Sequence, residues 1–199
     1  MSNPVKKDQT QELIKETAKN MFFMKGKFDA TTQEIADEAG VNRTLINYYF
    51  RSRDNLLQII LEEARQCEKD KSLIIHDSDL SFKEKISGFI EQSLQTSIQY
   101  PYLESYIVSQ MNKGLNSREK DEVDRAVIDE LYSSLEIEME KGNVERMEPV
   151  QFLLNMISLL IFPSAMRPLL MENIKVDDKE FDRLISERKE IILNILFKK

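Results

Sequence analysis

One cysteine, Cys67, stands in 199 residues, so no internal disulfide can form and a reducing compartment is the natural reading. There is also one histidine, His76. With one of each, Cys–His nucleophilic pairs and multi-His metal centres are nearly excluded. Cys67 lies on a helical pattern among Glu and Lys and reads as an inert thiol, and His76 lies in a polar loop and reads as a solvated side chain. Glycine and proline are scarce, five of each, so breaks are few and the elements should be long. Long elements rich in Leu, Ile, Glu and Lys favour helices. The N-terminal stretch "MSNPVKKDQTQELIK" lacks the apolar core of a signal peptide. The longest apolar run, Phe152 to Phe162, is too short to span a bilayer and contains Asn155 and Ser158. There is no P-loop, no dinucleotide glycine motif, no internal repeat and no convincing strand. The expectation is a cytoplasmic, all-α protein that is not an enzyme and needs no cofactor, metal or membrane.

What is present is charge, unevenly spread. Hydrophobic residues make up 41% and charged residues 32%, within the range of soluble globular chains. The formal net charge is −7. Residues 1–56 hold nine Lys/Arg against eight Asp/Glu, and the rest hold nineteen against twenty-seven. The N-terminal quarter is therefore spared the acidity of the remainder, which permits a phosphate-facing surface there.

Capping signals divide the chain into about nine helices. The first runs from about Asp8 to Met24, with Leu13, Thr17, Ala18, Met21 and Phe22 on one side, and Gly26 ends it. Thr31 with Glu34 forms a capping box, Gly40 stops that helix, Asn42 caps the next, and Ser52 caps one from Arg53 to about Leu73. Ser81 with Glu84, Asn116 with Glu119, Pro149, and Asp177 with Glu180 open later helices. Pro101, Gly142 and Pro163 close or interrupt them.

The stretch "TTQEIADEAGVNRTLINYYF" carries the sharpest pattern. Two short helices crossing steeply need small residues where they meet, which Ala36 and Ala39 supply. They also need a residue tolerant of positive φ at the corner, which Gly40 supplies. Ile35, Val41, Ile46 and Tyr49 fall on the inner faces. This register is that of a helix-turn-helix. The outward positions of its second helix are Asn42, Arg43, Thr44, Asn47 and Tyr48. Arg pairs with guanine, Asn with adenine and Thr with a thymine methyl, while Tyr48 can reach phosphate. Arg51 and Arg53 flank the next helix start, where unpaired N–H groups and the dipole favour phosphate. The same shape occurs in proteins that do not touch DNA, but there the outward positions need not be groups that read bases.

The segment "FDATTQEIADEAGVNRTLINYYFRSRDNLL" resembles the DNA-binding signature of the TetR family of bacterial regulators. The matching positions are Ala30, Thr31, Thr32, Ile35, Ala36, Gly40, Val41, Tyr49, Phe50, Arg53 and Leu56. The family usually has Tyr where this chain has Asn47, and Lys where it has Arg53. The resemblance covers about a quarter of the chain. It implies a three-helix DNA-binding head at 1–56, joined by the helix of 53–73 to a ligand-binding and dimerisation domain at 57–199. It adds Thr31, Thr32 and Tyr49 to the DNA-contacting set, and it implies a homodimer formed through the last two long helices. The expected function is a repressor that binds a palindromic operator in double-stranded DNA and is released by a small, mostly apolar effector. A DNA-anchored or protein-binding module without an effector stands as the alternative.

Within the larger region, Phe89, Tyr106, Gln110, Met111, Phe152, Asn155, Met156 and Phe162 are candidates for an effector pocket, although Met and aromatic residues at helical spacing also read as plain core. Leu153, Leu160, Ile161, Leu184, Ile185, Arg188, Ile192 and Ile195 are candidates for the dimer interface, because their helices carry more apolar residues than one buried face requires.

Overall fold

Helix ends fall where the side chains can satisfy them. In the computed structural model, which describes residues 4–72, 74, 77, 79–112 and 122–198, every described element is helical. Side chains are described for all of these except 4–8, 65–72, 110–112, 122–124 and 126. The expected cap at Asn116 and Glu119, the histidine His76 and the Cys67 thiol lie outside the described residues. The chain divides into two compact units, Met1–Glu68 and Lys69–Lys199.

The first unit contains α1 (Pro4–Lys19), which widens into a π turn at Asn20–Met24, then α2 (Thr32–Ala39), α3 (Arg43–Phe50) and most of α4 (Arg53–Ser72). Its core is Ile14, Ala18, Met21, Phe22 and Phe23 of α1 and the π turn. Against these are buried Ile35 and Ala36 of α2, Ile46 and Phe50 of α3, and Leu56, Leu57, Ile60 and Leu61 of α4. Of the expected α1 stripe Ala18, Met21 and Phe22 are buried and Thr17 half-buried, while Leu13 is 49% exposed and its neighbour Ile14 takes the inner position. Ile14, Ala18 and Met21 keep the spacing of four and three that one helix face demands.

The second unit is built from α5 (Phe82–Gln99), α6 (Leu103–Asn112), α7 (Glu122–Glu140), α8 (Pro149–Ala165), α9 (Arg167–Ile174), α10 (Asp178–Ser186) and α11 (Arg188–Leu196). Ser81 and Glu84 close a reciprocal capping box at the start of α5. Its core joins Ile86, Ile90 and Leu94 of α5 to Leu131 and Leu135 of α7, Phe152, Met156 and Leu160 of α8, and Phe181, Ile185 and Ile192 of α10 and α11. Phe82, Phe152 and Phe197 meet with ring centroids 6.0–6.1 Å apart, so the end of the chain is anchored to two core helices.

Two of the expected helices are each divided. α8 runs through Pro163 and stops at Met166, where the axis turns by 74° into α9. Pro168 has no N–H for the Ser164 carbonyl and its ring would strike that group, so the helix cannot continue there. Pro163 is tolerated because the carbonyl it deprives, Leu159, receives two N–H groups of Arg188 instead, at 3.3 and 3.0 Å. The final helix is interrupted at Glu187 and becomes α10 and α11. Arg167 is buried at the α9 start. It pairs with Asp178 at 2.9 Å and Asp182 at 2.7 Å, and its guanidinium lies over the Phe181 ring. That network ties α9 to α10. Among the described residues no single helix is long and apolar enough to cross a membrane, and no group of His, Cys, Asp and Glu could hold a metal ion.

Candidate nucleic-acid interface

The entry to α2 is fixed by Thr31. Its hydroxyl accepts the Glu34 N–H at 3.2 Å, and the Glu34 carboxylate accepts the Thr31 N–H at 2.7 Å and the Thr31 hydroxyl at 2.8 Å. These bonds hold the Glu34 carboxyl below its ordinary range, the backbone N–H of Thr31 contributing most. At the other end Gly40 adopts φ 65°, and the Val41 N–H closes back on the Ala36 carbonyl at 2.9 Å. A side chain at Gly40 would meet open space, so the requirement for glycine comes from the backbone alone.

α3 starts two residues later. Asn42 Oδ1 accepts the Thr44 N–H at 2.9 Å and the Thr44 hydroxyl at 2.7 Å. The Asn42 oxygen and the Thr44 hydroxyl proton are thus committed within the chain. Asn42, Arg43, Thr44, Asn47 and Tyr48 are all exposed on α3, with Ile46 and Phe50 buried behind them. Tyr49 is half-buried, and its ring sits edge-on to Tyr48 at 5.0 Å. Thr31 is exposed and Thr32 half-buried at the N-terminus of α2. The arrangement is a surface of hydrogen-bonding and aromatic groups on a rigid helix, preceded by a tight left-handed corner.

Two features escaped the sequence reading. Arg51 has φ 67° and ψ −45°, a left-handed conformation that costs a non-glycine residue roughly 1–3 kcal/mol. The Ser52 N–H bonds the Phe50 carbonyl across it at 2.7 Å, forming a γ-turn. Asn55 Nδ2 donates to that same carbonyl at 2.9 Å. The turn leaves Arg51 exposed at the end of α3.

Arg53 is held by the chain's own carbonyls. The sequence reading sends its guanidinium outward to phosphate. Instead Nε donates to the Ala30 carbonyl at 2.7 Å, Nη2 donates to the Phe28 carbonyl, and the guanidinium carbon lies 5.3 Å from the Phe22 ring centroid. A charged residue at a helix start reads as a phosphate ligand because the sequence does not reveal which carbonyls the loop 28–30 leaves unpaired.

In the second unit the structure redistributes the pocket candidates. Phe152, Met156 and Tyr106 are buried and Phe89 is half-buried, while Asn155 and Phe162 are exposed on other faces of α8. The side chains of Gln110 and Met111 lie outside the described residues. The expected lining is therefore not gathered around one space. A groove of about 610 Å³ lies elsewhere, between α8, α9, α10 and α11, and shares only Phe162 with that set. The interface candidates also divide. Leu160, Ile185 and Ile192 are buried in the unit's own core, Leu153, Ile161, Leu184 and Arg188 are half-buried, and Ile195 is 58% exposed. Exposed beside them are Val150, Leu154 and Ile157 of α8 and Ile191 of α11. α8 is apolar around its whole circumference, so periodicity cannot say which face turns inward.

The first unit and this surface form a helix-turn-helix domain. Residues 14–60 match the family model described as bacterial regulatory proteins, tetR family. Over those residues the first unit is similar to the DNA-binding domain of that family. No curated protein matches it at a significant level. Its fold is similar over nearly its whole length to solved structures of low identity. One is the ketosteroid transcriptional regulator of Mycobacterium tuberculosis, at 16% identity, 96% of each chain covered and a TM-score of 0.68. Another is a TetR transcription regulator from Haloarcula marismortui, at 18% identity, covering 96% of this chain and 100% of that one, TM-score 0.62. A third, from Rhodococcus sp., has 13% identity, covers 94% and 100%, and gives a TM-score of 0.58.

Proposed function

We propose that this chain is a ligand-responsive repressor that binds a palindromic operator as a homodimer and is released by a small, mostly apolar effector. The observation that carries the reading is the exposed set Arg43, Asn47 and Tyr48 on α3, held behind the Gly40 corner by a buried Ile46 and Phe50. In this reading residues 1–56 read DNA and residues 57–199 bind the effector and dimerise, all in the cytoplasm and without catalysis. Arg43 and Asn47 supply base contacts, since Asn42 and Thr44 already bond each other. Thr31, Thr32, Tyr48, Tyr49 and Arg51 position the head on the backbone. The homodimer covers the exposed strip Leu154, Ile157, Ile191 and Ile195, which belongs to two helices already packed together. An effector that prefers the DNA-incompetent state lowers operator affinity by its differential binding free energy, typically about 1–3 kcal/mol.

The test is a mobility-shift titration on the DNA flanking the protein's own gene. Arg43→Ala is expected to cost about 1–3 kcal/mol at the specific site and to leave random-sequence binding nearly unchanged. Equal loss on both DNAs, or none on either, would remove Arg43 from base reading.

A further inference from the structure

Thr44 stands on the exposed face of α3, directly after Arg43 and one turn before Asn47. The polarity of its hydroxyl is fixed by the chain itself. The Thr44 N–H reaches the Asn42 side chain at 2.9 Å, and because an N–H can only donate, the atom it meets is the amide oxygen, Oδ1. That oxygen can only accept, so the Thr44 hydroxyl, 2.7 Å away, gives it its proton. The two bonds occupy both lone pairs of Asn42 Oδ1. A hydroxyl ordinarily donates or accepts as its neighbour requires. Here the proton is committed, and Thr44 Oγ1 shows only lone pairs to whatever approaches α3.

The consequence depends on what approaches. In the major groove adenine N6 and cytosine N4 carry amino protons, while guanine O6 and thymine O4 are acceptors. An amino group gains a bond to Thr44 Oγ1 and nothing is given up. A keto oxygen meets lone pairs. It can win the proton only if Asn42 Oδ1 loses it, so one bond is exchanged for another and the net gain vanishes. A phosphate oxygen accepts like a keto group, so the same polarity makes Thr44 a poor backbone contact. Arg43 and Asn47 remain the bidentate readers, and Thr44 adds selection against one kind of base edge.

We propose that Thr44, locked by Asn42, is a specificity-determining residue. At the base it faces in each half-site it admits the amino bases, adenine or cytosine, and disfavours the keto bases, guanine and thymine. The inference deepens the operator reading above and rests on it for the entry of α3 into a major groove.

The test is selection by the full-length protein from randomised duplex DNA, by mobility shift and sequencing, followed by titration of single-base variants of the selected duplex. In the parent, one position per half-site should prefer A or C over G or T by roughly three- to tenfold, the worth of one hydrogen bond. Thr44→Val removes the oxygen. Asn42→Gly frees its proton with little effect on the helix start, since glycine is a tolerated N-cap. Both should make that position indifferent, while the preference set by Arg43 persists and reports an intact α3. Asn42→Gly is the decisive variant, because residue 44 is unchanged and only the polarity of its hydroxyl differs. A parent with no amino-over-keto position, or a preference that survives either variant, overturns the proposal. A selected motif that responds to Arg43→Ala but to neither of these variants leaves the operator reading standing and sinks this inference alone. If no duplex is enriched over random DNA, both fall.

Discussion

Replacing Arg53 with alanine separates two roles that the same residue could play. The side chain is about a quarter exposed, so its two bonds to the Phe28 and Ala30 carbonyls are worth less than fully buried charged ones, about 1–1.5 kcal/mol each. The contact with the Phe22 ring adds roughly 0.5–1 kcal/mol. The Asp54 pair is solvated and adds about zero. Arg53→Ala should therefore destabilise the N-terminal unit by about 3 kcal/mol. For a domain of its size that corresponds to roughly 12–24 °C in melting temperature. Hydrogen exchange should report the same loss at the amides of α2 and α3, because the loop that Arg53 clamps leads directly into α2. Arg53→Lys keeps the charge but cannot reach both carbonyls with a planar fork, so it should lose about half of that stability. A phosphate ligand behaves differently. If Arg53→Ala melts like the parent while the slope of log affinity against log salt falls by about one, the side chain faces DNA and the clamp described above is wrong.

Other outcomes follow from the same geometry. Arg51→Gly should stabilise the first unit by about 1 kcal/mol by relieving the left-handed turn, yet weaken binding to all DNA sequences with a shallower salt dependence; both are read from one denaturant series and one salt series. Ile191→Glu with Ile195→Glu should halve the particle mass in light scattering while leaving the helical circular dichroism intact, whereas Ile192→Glu should unfold the C-terminal unit, because Ile192 is fully buried. Glu34 and Glu84 titrate below their ordinary value of 4.5 because their capping partners favour the carboxylate. Their stabilisation is present above that value and is lost as pH falls through the depressed folded values, so Thr31→Ala and Ser81→Ala should flatten the acid limb of the melting profile.

Parts of this structure were legible in the sequence because they are local. Thr31 with Glu34, Ser81 with Glu84, the Gly40 corner, the Asn42 cap and the Gly142 stop each depend on residues within five positions of one another, and each stands where the pattern put it. The inner faces of α2 and α3 were readable for the same reason, since each alternates apolar and polar residues cleanly. α8 gave no such contrast. With Phe152, Leu153, Leu154, Met156 and Ile157 in near succession, the choice of Phe152 and Met156 as the inner pair is made by α5, α7 and α11, whose positions no short window encodes. The break at Glu187 shifts the register between α10 and α11, so a single stripe drawn through Ile185, Ile192 and Ile195 mixes buried and exposed positions. The bonds of Arg53 and Arg188 were not legible for a related reason. Each bonds main-chain carbonyls far away in sequence, and a carbonyl's need for a partner leaves no mark on residue type.

The bond from Arg188 to the Leu159 carbonyl imposes an order on how this C-terminal unit can change over generations. While residue 163 carries an N–H, the carbonyl has its partner inside α8 and residue 188 can vary. Proline becomes admissible at 163 only after an arginine is already in place, and from then on the arginine cannot depart without orphaning the carbonyl. The two positions form a ratchet: entry is by one sequence of steps, and exit requires reversing it. Among descendants of such an ancestor, chains with Pro163 but no long donor at 188 should be missing, while chains with the arginine and no proline should survive.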